Sequence, residues 1–239
     1  MKIKILYEDK DILVIDKPPG LVVHRDGKSN ERAVTDWVMR NYPKLKDVGE
    51  PVNFGDCEVV RPGIVHRLDR ETSGVLILTK SKKSYEFFKK QFQDRKIKKT
   101  YIAIVNGWPK SDSGIIDKPI GRSPSDFRRR LAGRGARGEM REAVTEWKVL
   151  KRFENKNNKF SILEIYPKTG RTHQIRVHLK YLSYPIICDS LYNPKGICPE
   201  NISRLGLHAK SIEFYNPKRK LIKVESPLPQ EFKKLFKAL

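Results

Sequence analysis

Asp69 is the residue best placed to do chemistry. It lies in RPGIVHRLDRETSGVLILTK, Arg61 to Lys80, inside the charged cluster His66-Arg67-Leu68-Asp69-Arg70-Glu71. Two short β-type runs bracket that cluster, Ile64-Val65 and Val75 to Thr79. Arg67 and Arg70 flank the acid, and a nearby cation favours the charged form of a carboxylate. Thr72 and Ser73 can hydrogen-bond local backbone, and Gly74 permits a conformation that a Cβ would resist. The expected result is an ionised carboxylate on a rigid strand end, the state that a nucleophile or general base requires. Charged turns between strands are common, so this turn needs partners elsewhere before it makes a site.

Two candidates stand downstream. Tyr101 falls in an alternating run, Lys99 to Val105, that puts Tyr101, Ala103 and Val105 on one face. Packing is the ordinary role of a strand tyrosine, yet a nucleobase pocket needs an aromatic face with a polar tip, and tyrosine supplies both. Arg176 falls near the start of a helical stretch, His173 to Leu182, beside the stripe Ile175, Leu179 and Leu182. A cation at the positive end of a helix is electrostatically unfavourable, so Arg176 requires an acidic partner. Sequence distance does not place the three side by side.

Charge narrows the partner. Lys+Arg 50 against Asp+Glu 28 leaves a net charge of +22 in 239 residues, with a pI near 9.9. Such an excess fits a polyanion, most simply nucleic acid, although an anionic membrane surface would also attract it. The stretch Gly121 to Arg141 concentrates it, with seven arginines and two acids among glycines and no apolar period. It is expected to be a mobile loop or arm whose guanidinium groups suit phosphate forks and base stacking.

Other classes are disfavoured. No run is apolar enough to span a bilayer and the N-terminus lacks a signal-peptide core, so a soluble cytoplasmic protein is expected. Cys57, Cys188 and Cys198 share no CxxC spacing, which argues against disulfides and structural zinc. The five histidines form no HExxH, and HxE followed by PCxxC is absent, against a zinc-dependent deaminase. Gly27-Lys28-Ser29 echoes the end of a phosphate-binding loop, but its first glycine would fall at Val22.

Around these residues the chain reads as alternating elements. Ile3 to Tyr7 and Ile12 to Asp16 form a hairpin, Ala33 to Tyr42 a core helix, and 43–63 a loop. Ser81 caps a helix carrying Tyr85, Phe88 and Phe92 on one side. Ala143 to Leu150 and Phe160 to Tyr166 are strands joined at Asn155-Lys156-Asn157-Asn158; a second hairpin turns at Asn216 to Arg219, and a helix from Pro229 closes the chain.

The stretches His66 to Gly74 and Thr169-Gly170-Arg171-Thr172-His173-Gln174-Ile175-Arg176-Val177-His178 together resemble the RluA family of pseudouridine synthases. Asp11 to Leu21 and Lys99 to Val105 support the match, which runs over nearly the whole chain in the family's order. The resemblance implies an α+β fold: a mixed, mainly antiparallel sheet in two halves, with flanking helices and a central basic cleft. Many members of that family carry an S4-type RNA-binding domain before the catalytic one; here, in a departure from them, one catalytic domain over 1–239 without a separate S4-type domain is expected, and the basic loop or insert 121–141 is expected to do part of that domain's work. By the same resemblance Asp69 is the catalytic aspartate, Tyr101 stacks on the target uracil and helps remove its C5 proton, and Arg176 pairs with the aspartate. Arg67 enters the gap left by the flipped base. Arg171, His173 and Gln174 of the second motif, with Arg128, Arg129 and Arg130, complete the expected RNA-binding set. No metal and no organic cofactor are implied, and the expected partner of this monomer is 23S rRNA, tRNA or both. A pure RNA-binding module would leave Asp69, Tyr101 and Arg176 without purpose, and a nuclease or glycosylase lacks a metal-ligand cluster or second catalytic acid.

Overall fold

The computed structural model describes residues 2–25, 31–54, 57–133, 135–200 and 202–237; the Gly27-Lys28-Ser29 echo lies outside them. The early elements are β1 (Lys4–Glu8), β2 (Ile12–Lys17), α1 (Val34–Asn41), a 3-10 turn (Pro43–Leu45), β3 (Val52–Phe54), β4 (Cys57–Val59), β5 (Ser73–Thr79) and α2 (Lys82–Gln93). Next come β6 (Lys98–Asn106), β7 (Ser113–Asp117), β8 (Ile120–Arg122), β9 (Arg130–Ala132), β10 (Arg137–Arg141), β11 (Val144–Asn155) and β12 (Asn158–Pro167). The chain ends with α3 (Gln174–Tyr181), β13 (Leu207–Tyr215), β14 (Leu221–Glu225) and α4 (Gln230–Lys237). It divides into two compact units, Met1–Lys98 with Ala209–Pro227, and Lys99–His208 with Leu228–Leu239. The architecture is a mixed, mostly antiparallel sheet with few helices.

In the first unit the strand order is β1-β2-β5-β13, with β14 on β13. The β1–β2 turn is made by Asp9, whose Oδ1 accepts the N–H groups of Asp11 at 2.8 Å and Ile12 at 2.9 Å, an aspartate doing the work of a backbone turn. Every residue of β5 is buried, as its unbroken apolar run requires of a central strand. Ser81 caps α2 by accepting the Ser84 N–H at 3.1 Å. The helix buries Tyr85 and Phe88, with Phe88 edge-on to Phe214 at 5.3 Å in a core with Ile12, Val14, Val75, Ile77 and Ile212. Full burial of a phenylalanine contributes about 1.5–3 kcal/mol, so this stripe holds the helix on the sheet. Residues 43–63 hold more order than a loop: the 3-10 turn and the antiparallel β3–β4 pair stand there. The strands of that pair, Val52-Asn53-Phe54 and Cys57-Glu58-Val59, are three residues each, too short for their alternation to stand out in the sequence.

The second unit orders its strands β6-β12-β11-β7, all antiparallel. β6 serves two cores by alternation: Ala103 and Val105 join Trp147, Leu163, Ile165, Ile175 and Leu179, while Ile102 and Ile104 join Phe153, Phe160, Ile162 and Phe232. Lys156 and Asn157 both take positive φ, 49° and 63°, as the two-residue turn between β11 and β12 demands. The basic stretch departs from expectation. It is a three-stranded sheet, ordered β10-β8-β9, where a mobile arm was expected, and Ile120 and Ala132 join Ala143, Val177, Tyr192 and Leu191 in a small core. Too few of its side chains are apolar for that pairing to leave a period in the sequence.

The expectation of no disulfide is also corrected. Cys188 and Cys198 are joined, with Cα atoms 5.4 Å apart, inside the range a disulfide spans. The two lie 10 positions apart, so the chain between them folds back on itself, and sequence spacing carries no sign of that return.

Candidate active site

Asp69 lies in the first unit, half-buried, in a turn held from several sides. Its carbonyl accepts the Thr72 N–H at 3.1 Å. Behind the turn stands Lys17, fully buried, whose ammonium donates to the carbonyls of Pro18 at 2.9 Å, Leu21 at 2.7 Å and Arg70 at 2.9 Å. Three acceptors use all three donors of a lysine, and the peptide just after Asp69 is thereby tied to the end of β2. His66 Nε2 accepts the Ile77 N–H at 2.9 Å, which puts any ring proton of the neutral form on Nδ1, and its ring stacks on Phe92 at 4.7 Å. Gly74, at φ +111°, packs so closely on β13 that a Cβ would collide with the Ala209 carbonyl. Thr72 was expected to bond local backbone through its hydroxyl; that hydroxyl is buried without a hydrogen-bond partner among the described residues, and only the backbone N–H makes the turn. Arg67 is exposed.

Tyr101 and Arg176 lie in the second unit. Tyr101 stands opposite Ile165 on β12 and packs, half-buried, against the core that includes Ile175 and Leu179 of α3. Arg176 is buried and grips Asp189 with two parallel hydrogen bonds, Nε to Oδ2 and Nη2 to Oδ1, both 2.8 Å. Asp189 Oδ1 also accepts the N–H groups of Leu191 and Tyr192 at 3.0 Å each. Burial alone would raise this carboxyl, but the Arg176 guanidinium and the two N–H donors outweigh it and hold the group below the ordinary carboxylate range. The Tyr192 ring lies 5.0 Å from the guanidinium carbon, and its hydroxyl meets His173 Nδ1 at 3.0 Å. Asp189 thus meets the requirement for an acidic partner of Arg176. It went unnoticed in the sequence although a signal existed: an acid inside the apolar run Ile186 to Tyr192 needs a buried counterion.

The remaining expected residues separate. His173 opens α3 with φ 58° and Arg171 donates through Nε to the Glu142 carbonyl at 2.9 Å, both half-buried. Gln174 does not fit an RNA-contacting role. It is 4% exposed; its oxygen accepts from Thr169 Oγ1 and the Arg171 N–H, and its nitrogen donates to the Val144 carbonyl and Thr145 Oγ1. All four hydrogen-bonding positions of the amide are used in bracing the turn before α3. His178 continues that brace, between Thr145 Oγ1 at 2.8 Å and the Lys118 carbonyl at 2.9 Å, and burial pushes its pKa down. Lys99 was not singled out in the sequence. Two positions before Tyr101 on the same strand, its ammonium donates to the Thr169 carbonyl at 3.2 Å, and burial pushes its pKa down to about 8. Among the described residues no three His, Cys, Asp or Glu side chains cluster as metal ligands would, and no helix is long and apolar enough to cross a membrane.

The RNA pseudouridylate synthase family matches residues 11–181, which contain both motifs and Tyr101. An uncharacterized RNA pseudouridine synthase of Aquifex aeolicus (strain VF5) is 38% identical over 241 residues, covering 98% of this chain and 72% of its own length. Ribosomal large subunit pseudouridine synthase D of Borreliella burgdorferi is 37% identical over 230 residues, covering 96% of this chain and 66% of its own. The solved structure of human RNA pseudouridylate synthase domain containing 4 aligns with a TM-score of 0.70 at 29% identity, over 96% of this chain and 90% of the other. The mostly antiparallel sheet, with the two motif segments in this order along the chain, is the fold of an RNA pseudouridylate synthase domain. The chain belongs to the RNA pseudouridylate synthase family and is a pseudouridine synthase.

Proposed function

We propose that Asp69 is the catalytic carboxylate of this synthase, with Tyr101 stacking on the target uracil and Arg176 pairing with Asp69 in the working enzyme. Making pseudouridine breaks the N1–C1′ bond, turns the uracil, and joins C5 to C1′. The C5 proton leaves and N1 gains one, so atoms balance without an external energy source. Asp69 acts in its ionised form, either attacking C1′ or taking a proton from C2′. The target must leave its stack to be reached, and Arg67 fills the gap it leaves. Arg171, His173 and the Arg128–Arg130 run bind the RNA around it, and the surplus of positive charge supplies affinity.

The observation that carries this reading is the bracing of the Asp69 turn: a fully buried lysine given over to three carbonyls is an expensive way to hold a loop, and it fits a carboxylate that must not move. The Arg176–Asp189 grip supports it in the same way, because it orients a guanidinium whose other edge can serve a second carboxylate. Relatives named for the large ribosomal subunit make rRNA the first substrate to test, with tRNA next. Such an enzyme would work as a monomer in the cytoplasm. Asp69→Asn is expected to abolish tritium release from RNA labelled at uracil C5 while sparing RNA binding. Normal release by that variant overturns the assignment.

A further inference from the structure

The small sheet of the basic stretch holds an arrangement that charge alone does not explain. Arg122 on β8 stands directly opposite Arg130 on β9 and Arg137 on β10, so three arginines line up across neighbouring strands. Residues paired in this way share a face, and like charges there destabilise a sheet. A row of this kind is relieved by a polyanion laid along it.

Beside the row, in the β8–β9 connection, stands Phe127. It is 86% exposed, against 66% for Ile115, the next most exposed large apolar side chain among the described residues. A lone apolar side chain in water is ordinary; what sets this one apart is how firmly its backbone is held. Asp126 Oδ1 accepts the Arg128 N–H at 3.0 Å, and the Arg128 guanidinium closes on the same carboxylate at 3.1 and 2.9 Å. The Arg129 N–H reaches the Asp126 carbonyl at 2.9 Å, and Arg130 Nη1 donates to the carbonyls of Phe127 at 3.1 Å and Arg129 at 3.0 Å. The ring is therefore presented from a tied turn. The Arg130 N–H donates to the Tyr192 hydroxyl at 2.9 Å, and Tyr192 lies under Arg176 and bonds His173. A continuous set of contacts within one unit thus links this tip to the guanidinium placed at the reaction.

We propose that the 120–141 sheet is an RNA-contact site in which Phe127 stacks on an unpaired base near the target uridine, while the Arg137–Arg122–Arg130 row takes the adjoining phosphates. The inference rests on the chain acting on RNA, and it adds Phe127, Arg122 and Arg137 to the residues already assigned. An aromatic platform beside a basic track is how single strands are held without sequence preference. It also suits an enzyme that needs its substrate locally unstacked.

The test uses the full chain and a single-stranded RNA 12-mer carrying one 2-aminopurine. Wild type is expected to change the fluorescence of 2-aminopurine on binding. Phe127→Ala should lose that change and bind roughly 5- to 100-fold more weakly, with an unaltered slope of log affinity against log salt. Phe127→Trp should restore both, which a fault in folding would not. Arg122→Gln with Arg137→Gln should keep the fluorescence change and lower the salt slope by about 1.4, from about 0.7 per lost phosphate contact on single strands. Phe127→Ala that binds and reports like wild type overturns the stacking role, as does a variant altered only in oligomeric state, which would mark a protein contact. Tritium release by wild type on rRNA, run alongside, separates failure of this inference from failure of the catalytic reading.

Discussion

Removing the carboxylate of Asp189 should separate what holds the fold from what serves the reaction. In Asp189→Ala the Arg176 guanidinium, buried on the same unit, loses both hydrogen bonds, and the Leu191 and Tyr192 N–H groups lose their acceptor. Breaking a buried ion pair from one side costs about 3–5 kcal/mol, because the buried guanidinium loses the carboxylate that grips this edge and two N–H groups lose their acceptor. At about 2–4 °C per kcal/mol for a chain of this size, melting should fall by roughly 6–20 °C. Replacing both partners with apolar residues, Arg176→Met with Asp189→Leu, removes the buried cation together with the buried anion and should recover most of that loss. Activity should not recover with it. Tritium release is expected to vanish in the double variant although it melts near wild type, because the guanidinium itself is gone. The pH dependence follows from the depressed Asp189 carboxyl: its stabilisation is complete above the unfolded value near 3.9 and is lost as pH falls through the lower folded value. Wild type should therefore lose stability relative to the double variant only below about pH 4. Scanning calorimetry and the release assay check both halves. Melting of Asp189→Ala within 2 °C of wild type, or an active double variant, would refute the reasoning.

Two further outcomes follow. Gly74→Ala puts a Cβ into the Ala209 carbonyl at φ +111° and should cost about 2–4 kcal/mol in urea unfolding, with tritium release falling as the Asp69 turn shifts; an unchanged midpoint would show that the close approach is not required. Lys99, with its pKa near 8, disfavours its cation in the folded state, so wild type should gain about 1–3 kcal/mol over Lys99→Met between pH 8 and 10.5; a flat difference across that window counts against a buried amine.

How much of this was legible before folding depends on which side chains carry the signal. Phe88 and the Ser81 cap gave the start and the buried side of α2, and the left-handed pair Lys156-Asn157 fell where the asparagine-rich turn was expected, because apolar period and turn chemistry act locally. The β3–β4 pair was not visible because strands of three residues are too short to show their alternation, and the 120–141 sheet because its strands carry few apolar side chains. Gln174 was assigned to RNA by its place in a motif, but the folded chain uses its whole amide internally. Residue type within a motif shows that a position matters, and only the neighbours show for what.

The sequence by itself determined the family, the alternation that puts Tyr101, Ala103 and Val105 on one face, and a charge of +22 that suits a polyanionic partner. Folding alone decided that Asp189 would hold Arg176, that Lys17 would anchor the peptide after Asp69, and that Cys188 would meet Cys198. The division has one physical cause. Periodicity, turn propensity and net charge are properties of neighbouring residues or of the whole sum, whereas a buried ammonium or carboxylate is stable only beside particular groups brought from 13 to 53 positions away.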